Sequence, residues 1–183
     1  MLLDSAKSTL LLIDMQERLL PAMDGFEEVE RRCGIVLKAA KALQVPVAVS
    51  EQYPKGLGHT VAGLKAEIGN VPVFEKLDFS CWRDAALKRH LINHHEHGRP
   101  LVIVAGIEAH VCVLQSAIDL AMAGFGVFAV ADAMASRTPA SKALALERMR
   151  ESGVHVVNTE MAVFELLGKA GTAEFKSLSG LIR

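Results

Sequence analysis

The chain has 183 residues, 51% of them hydrophobic, so one domain is expected that buries roughly 70% of the surface its unfolded chain exposes. Lys plus Arg number 20 and Asp plus Glu 21, a formal charge of -1, and no block of like charge supplies a footprint for phosphate backbones or anionic lipid. No nucleic-acid partner and no membrane partner are therefore expected, and the apolar runs fall far short of the roughly 20 residues that span a bilayer.

The opening MLLDSAKSTL has an early acid, a lone Lys and no long apolar stretch. That is not a secretory signal, and a cytoplasmic chain is expected. The next segment, Ser8 to Ile13 (STLLLI), is too continuously apolar for a half-exposed strand and reads as one covered on both faces. It ends at Asp14. Pro21 to Leu43 has helical spacing, with Val29, Cys33, Val36, Leu37 and Ala40 on one stripe and charged residues opposite. A second covered strand, Val45 to Ser50, follows. Residues 51–60 (EQYPKGLGHT) combine Pro54, Gly56 and Gly58 in a polar setting and read as a loop over one end of the sheet.

Val71 to Glu75 is a third strand, which Pro72 confines to an edge or a strand start. Asp84 to His97 is helical, and Leu101 to Ala105 (LVIVA) is the strongest strand in the chain. A helix from about Val111 to Ala123 closes at Gly124 and Gly126 before the strand Val127 to Ala131. Pro139, after Thr138, opens a helix to about Ser152 that stops at Gly153. Val154 to Val157 is the last strand, and Ala162 to Leu167 the last helix. Short buried-type strands alternating with helices imply an α/β fold: a single three-layer α/β/α domain over residues 1–183 with a six-stranded, Rossmann-like parallel sheet.

In such a sheet the ligand crevice lies beyond the carboxyl ends of the strands. Asp14 directly follows the first strand, Lys76 directly follows the third, and Cys112 starts the helix after the fourth. A thiol at a helix N-terminus beside an ammonium is favoured as thiolate. A carboxylate within reach can take the thiol proton and return it to a leaving group. Acyl transfer fits these parts. The three cysteines, Cys33, Cys81 and Cys112, form no CxxC pair and imply neither a disulfide framework nor a zinc knuckle. Cys33 belongs to the core stripe of its helix, while Cys81 lies near the proposed pocket. His90, His94 and His97 share one helical face and read as a solvated surface.

LLLIDMQ around Asp14, FEKLDFSCW around Lys76 and AGIEAHVCV around Cys112 together resemble the isochorismatase-like cysteine hydrolases, a superfamily that includes nicotinamidases, carbamoylsarcosine and ureidoacrylate amidohydrolases, and isochorismatases. The resemblance covers nearly the whole chain, and SEQYPKGLGHT is similar to a subgroup of isochorismatase-domain proteins. It implies a catalytic triad of Asp14 as general base and acid, Lys76 as electrostatic partner and Cys112 as nucleophile. It also implies a cis peptide between Ile107 and Glu108 that aims the backbone N–H groups of Glu108 and Cys112 at an oxyanion.

Nicotinamidases carry an Asp and two His metal ligands after the second strand, whereas here the aligned stretch runs Glu51, Gln52, Tyr53, and His59 is the only imidazole in the loop. No metal and no other cofactor are therefore expected. Tyr53, Phe79 and Trp82 are the candidates for the pocket wall. Isochorismatase proper cleaves a vinyl ether without the Cys, so a retained Cys112 favours a small-molecule carboxamide or related C–N substrate and a thioester intermediate. Family members commonly form homo-oligomers. Two other classes stay open: a binding or scaffolding oligomer of the same fold, and a thiol-based redox protein using Cys112 and Cys81.

Overall fold

The structure, a computed structural model, describes residues 1–182. Six parallel strands form one sheet: β1 (Ser8–Ile13), β2 (Val47–Gln52), β3 (Val73–Lys76), β4 (Leu101–Ile107), β5 (Gly126–Ala135) and β6 (His155–Val157). Their spatial order is β3-β2-β1-β4-β5-β6. The chain steps outward from β1 to β3 and then crosses back to place β4 on the other side of β1. The switch point of the sheet is therefore the crevice between the carboxyl ends of β1 and β4, the position where open α/β sheets bind ligands.

The helices are α1 (Phe26–Ala42), α2 (Pro54–Leu57), α3 (Ala62–Ile68), α4 (Ala85–Glu96), α5 (Leu114–Met122), α6 (Pro139–Glu151), α7 (Thr159–Leu167) and α8 (Ala173–Ser179). They cover both faces, which explains the unbroken apolar strands. Leu10 and Leu12 of β1 point to a core with Val29, Cys33 and Val36 of α1 and Ala162 and Leu166 of α7. Leu11 and Ile13 point the other way, to Leu87 and Leu91 of α4, Ala117 and Leu120 of α5 and Ala145 and Met149 of α6. At roughly 1.5–3 kcal/mol for each large apolar side chain taken from water, these two layers supply the main driving force of the fold.

The structure redraws several expected boundaries. The helix expected from Pro21 is broken at Gly25, whose φ of 65° precedes α1, and the Asp24 N–H is drawn aside to the Ser136 carbonyl at 3.0 Å. Only a 3₁₀ turn, Leu20–Ala22, precedes that break. β2 does not stop at Ser50, because Glu51 and Gln52 keep pairing with Glu75 and Lys76 of β3. The expected loop of residues 51–60 is thus strand as far as Gln52, and then the short α2. The helices α3 and α8 were not anticipated; both are short, at 7 residues each. Where an end was well marked the sequence reading is close: Asp84 caps α4 by accepting from the Ala86 and Leu87 N–H groups, and Thr138 caps α6 by accepting from Ser141 N–H.

Gly106 fixes how closely β4 approaches β1. Its φ is +117°, and a Cβ built there would lie 2.0 Å from the Ile13 carbonyl oxygen. No rotamer can relieve a clash with backbone. Gly106→Ala is expected to cost about 3 kcal/mol or more, which lowers Tm by about 6–12 °C for a chain of this length. A thermal melt within a degree or two of wild type would contradict this account of the β1–β4 junction.

Candidate active site

Asp14 leaves β1 in the left-handed region, at φ 53°, and is fully buried. Asp is one of the few non-glycine residues that tolerates this conformation, which turns the carboxylate into the crevice instead of along the strand. Its Oδ1 accepts from the Ser50 hydroxyl at 2.7 Å, and its Oδ2 accepts from the Lys76 ammonium at 2.8 Å. Lys76 starts two strands away, beyond β2, so only a long side chain can span the distance. All of its donors are committed: besides Asp14, Nζ donates to Gln52 Oε1 at 2.6 Å and to the Phe79 carbonyl at 3.2 Å. Both side chains of the pair are 0% exposed.

Cys112 sits in a π-helical turn, Ala109–Val113, between β4 and α5. The Val113 N–H reaches back to the Glu108 carbonyl at 3.2 Å, five residues earlier. Such turns recur at functional sites because they displace one residue from the helical register. The helix thus starts as a distorted turn at Ala109, not with a regular turn at Val111. The Ile107–Glu108 peptide that leads into it is cis. Among the described residues no acceptor takes the Glu108 N–H. The turn is held from outside as well, by Arg137 Nε on Glu108 Oε2 at 2.8 Å and by the contact of His110 Nδ1 with Ser136 Oγ at 2.9 Å.

The thiol departs from the sequence expectation. Burial, and then the neighbouring Asp14 carboxylate, push the Cys112 thiol well above its ordinary range, and the Lys76 ammonium only partly offsets them. The Cys112 thiol therefore holds its proton beside the Asp14 carboxylate. Burial opposes the charge on Lys76 most strongly, but Asp14, Cys81 and Cys112 together outweigh it and raise the lysine above its usual value. Cys81 is fully buried at the same site. Its S–H lies 3.5 Å from Ser50 Oγ, its N–H donates to Ser116 Oγ at 2.8 Å, and burial pushes its thiol up to about 11. Ser116 in turn donates to the Cys112 carbonyl at 2.6 Å.

The pocket-wall candidates separate. Tyr53 is 52% exposed and lines a cleft of about 290 Å³ with Pro54, Glu75, Lys76 and Leu77. Phe79 contributes its carbonyl to Lys76, and its ring is exposed. Trp82 is a correction. Its ring lies edge-on to Phe125 at 5.4 Å with the Lys88 ammonium 4.8 Å above it, which assigns it to packing around α4. A larger cleft, about 630 Å³, lies between α1, α3 and the C-terminal residues, away from the triad.

Gln16 and Thr60 carry no signal in the sequence analysis, yet they shape this end of the sheet. The Gln16 amide bonds both the N–H and the C=O of Gln52, as a neighbouring strand would. Glu51 is 5% exposed and already engaged: one oxygen accepts from the Thr60 N–H and hydroxyl, the other faces His59 Nδ1 at 2.8 Å. Burial opposes its charge, but these partners hold its carboxyl below the usual range. Among the described residues no group of three or more His, Cys, Asp or Glu is placed to hold a metal ion. The residues present do not fit a nicotinamidase-type metal centre, since Glu51 is spent on anchoring the loop and Tyr53 stands at the first His position.

A family model described as the isochorismatase domain matches residues 8–161. The chain belongs to the isochorismatase family. Its relatives include the secreted isochorismatase effector Isc1 of Phytophthora sojae, 38% identical over 179 residues, which cover 96% of this chain and 84% of that protein. A solved structure described as the MAR1 ribonuclease of Caenorhabditis elegans superimposes with a TM-score of 0.92 at 34% identity, over 100% of this chain and 92% of that one. The ycaC gene product of Escherichia coli, described as an octameric hydrolase of unknown specificity, gives a TM-score of 0.91 at 22% identity, over 98% of this chain and 90% of that one. That last likeness is one of fold. Membership of the isochorismatase family supports a hydrolase. Among the described residues no helix is long and apolar enough to cross a membrane.

The buried thiols set an alkaline limit on stability. Cys33, Cys81 and Cys112 all hold their protons more tightly in the fold than at the ordinary value of 9.0. Their contribution is complete below pH 9.0 and is lost as pH rises through the higher folded values. Lys76 acts in the same direction above 10.5. Urea midpoints should therefore fall from about pH 9 upward, and Cys112→Ser, which has no thiol to ionise, should fall less steeply. Equal slopes for the two proteins would contradict the burial of the Cys112 thiol.

Proposed function

We propose that the protein is a metal-independent cysteine hydrolase that cleaves a small carboxamide or related C–N bond. The observation that carries this reading is the convergence of Asp14, Lys76 and Cys112, from three strands, at the switch point of the sheet. Cys112 Sγ attacks the substrate carbonyl carbon while its proton passes to Asp14. The N–H groups of Glu108 and Cys112 receive the oxyanion. Collapse of the tetrahedral intermediate breaks the C–N bond, and Asp14 delivers the proton to the departing nitrogen. Water then attacks the thioester, giving its proton to Asp14, and the acid and free thiol are restored.

Lys76 in this scheme is a fixed charge, not a proton donor to substrate, because its hydrogen-bonding capacity is spent on Asp14, Gln52 and Phe79. It stabilises the thiolate as it forms and holds the Asp14 carboxylate in place. Tyr53 and the neighbouring cleft supply the substrate wall, and the substrate is small because the triad is almost closed to solvent, with Cys112 only 5% exposed. The exposed side chains of Tyr53, Val73, Leu77 and Phe79 around β3 favour a homo-oligomer that covers this edge. Three free thiols favour a reducing compartment such as the cytoplasm.

Phosphodiester cleavage is the competing reading, raised by the description of the Caenorhabditis elegans structure. The formal charge of -1 and a buried nucleophile that suits acyl transfer argue against it here. A hydrolysis screen that includes small carboxamides and a short RNA separates the two. The expected result is turnover of a carboxamide that survives exhaustive chelation, vanishes in Cys112→Ala and falls about 10²–10⁴-fold in Asp14→Asn. RNA cleavage that persists in Cys112→Ala, or amide turnover lost to a chelator and restored by a divalent ion, would overturn the proposal.

A further inference from the structure

The triad is tied together by a strand that contributes none of its members. β2 lies between β1 and β3, and its register sets Ser50 opposite Ile13, the residue before Asp14, and Gln52 opposite Lys76 itself. Residues two apart on a strand project to the same side. Ser50 and Gln52 therefore face the triad, while the intervening Glu51 faces Thr60 and His59.

The hydrogen-bond directions are fixed by chemistry. An ammonium only donates, so it is the Gln52 carbonyl oxygen that meets Lys76 at 2.6 Å, and the Gln52 amide nitrogen donates to the Leu77 carbonyl at 2.8 Å. The Asp14 carboxylate only accepts, so the Ser50 proton goes to Oδ1 at 2.7 Å, and the Ser50 oxygen is left to accept from the Cys81 thiol at 3.5 Å. Both side chains are buried, Ser50 at 0% and Gln52 at 8% exposure, so neither bond competes with water. The Gln16 amide clamps the Gln52 backbone on both sides, and the bond to the Leu77 carbonyl orients the Gln52 side-chain amide.

We infer that Ser50 and Gln52 are positioning residues that set the proton balance at Cys112 in opposite directions, Ser50 by holding the Asp14 carboxylate and Gln52 by holding the Lys76 ammonium. The inference rests on the reading of Asp14, Lys76 and Cys112 as a working triad. The Ser50 hydroxyl donates to the Asp14 carboxylate and so competes there with the thiol proton. The Gln52 bond holds the ammonium against Asp14, where its charge favours the thiolate. The groups that face the Cys112 thiol and carry charge or titrate are Asp14, Lys76 and Cys81, from β1, β3 and the segment after β3.

The test is the pH–rate profile of Cys112 alkylation by iodoacetamide, read at the Cys112 peptide by mass spectrometry, which needs no known substrate. Gln52→Met keeps the length of the side chain but removes the acceptor. It is expected to slow alkylation near neutral pH by about tenfold, one pKa unit, and to move the midpoint upward. Ser50→Ala removes the donor that competes for the carboxylate and is expected to quicken alkylation and move the midpoint downward. Gln52→Leu removes the same acceptor should Gln52→Met fail to fold. Cys33, buried in the α1 core, is read in the same samples as the measure of general loosening, and it should stay unlabelled.

Opposite shifts at Cys112 with Cys33 silent support the inference. Shifts in the same direction, no shift, or parallel labelling of Cys33 overturn it and reduce the two residues to packing. Lys76→Met distinguishes failure of the triad itself. If that variant alkylates at the wild-type rate, the ammonium does not act on the thiol and the underlying reading falls as well. If it slows while Ser50→Ala and Gln52→Met do nothing, only the positioning role is lost.

Discussion

The ion pair between Asp14 and Lys76 is the constraint from which the rest of the site follows. Two unit charges lie 2.8 Å apart with no side-chain exposure to water. Burying such a pair is repaid only when its remaining hydrogen-bonding capacity is satisfied, and here it is. Ser50 donates to the free carboxylate oxygen, while Gln52 and the Phe79 carbonyl take the other ammonium protons. Each partner depends on a particular strand end. The parallel register β3-β2-β1 brings those ends level, and the close approach of Gly106 to Ile13 sets β4 and its distorted turn beside them.

An electrically neutral, fully bonded pair explains how a cysteine can be kept inactive and yet ready. Lys76 alone would draw the thiol toward thiolate. Burial opposes that pull most strongly, and Asp14, in contact with the same lysine, opposes it next. In the proposed mechanism the nucleophile is therefore generated only when a carbonyl group arrives to receive it. A protonated resting thiol is also a poor target for oxidants, and burial shields all three free cysteines. These features favour the hydrolase over a redox protein, in which at least one low-pKa, accessible thiol is needed.

The parts of this arrangement that could be read from sequence are those where a polar residue interrupts an apolar run. Asp14 stands directly after STLLLI and Lys76 directly after VPVFE, so their place at the strand ends followed from the length of the runs. The parallel α/β class followed from the same runs, because Leu10, Leu11, Leu12 and Ile13 alternate between two separate cores that both need filling. The hidden parts are polar residues that continue a strand. Glu51 and Gln52 look like the start of a loop, yet they pair with β3 and hold the site from within. The signal for them was the period of two at Ser50 and Gln52, which a polarity reading overlooks. Gln16 gave no local signal at all, because its role as a substitute strand depends on a loop some forty residues away. Trp82 misled for the opposite reason: a large aromatic near Lys76 in sequence turns away to Phe125 in space.

The most direct measurement of the central claim is acid-quenched intact-protein mass spectrometry during turnover of an identified carboxamide substrate. If Cys112 is the nucleophile and Asp14 its proton carrier, the protein should gain the mass of the acyl fragment alone, localised to Cys112 by peptide mapping. The adduct should form in Gln115→Ala, a change on the helix outside the triad, form far more slowly in Asp14→Asn, and be missing in Cys112→Ala. Product release from the wild type with no acyl adduct at any quench time, and at an undiminished rate in Cys112→Ala, would contradict the account.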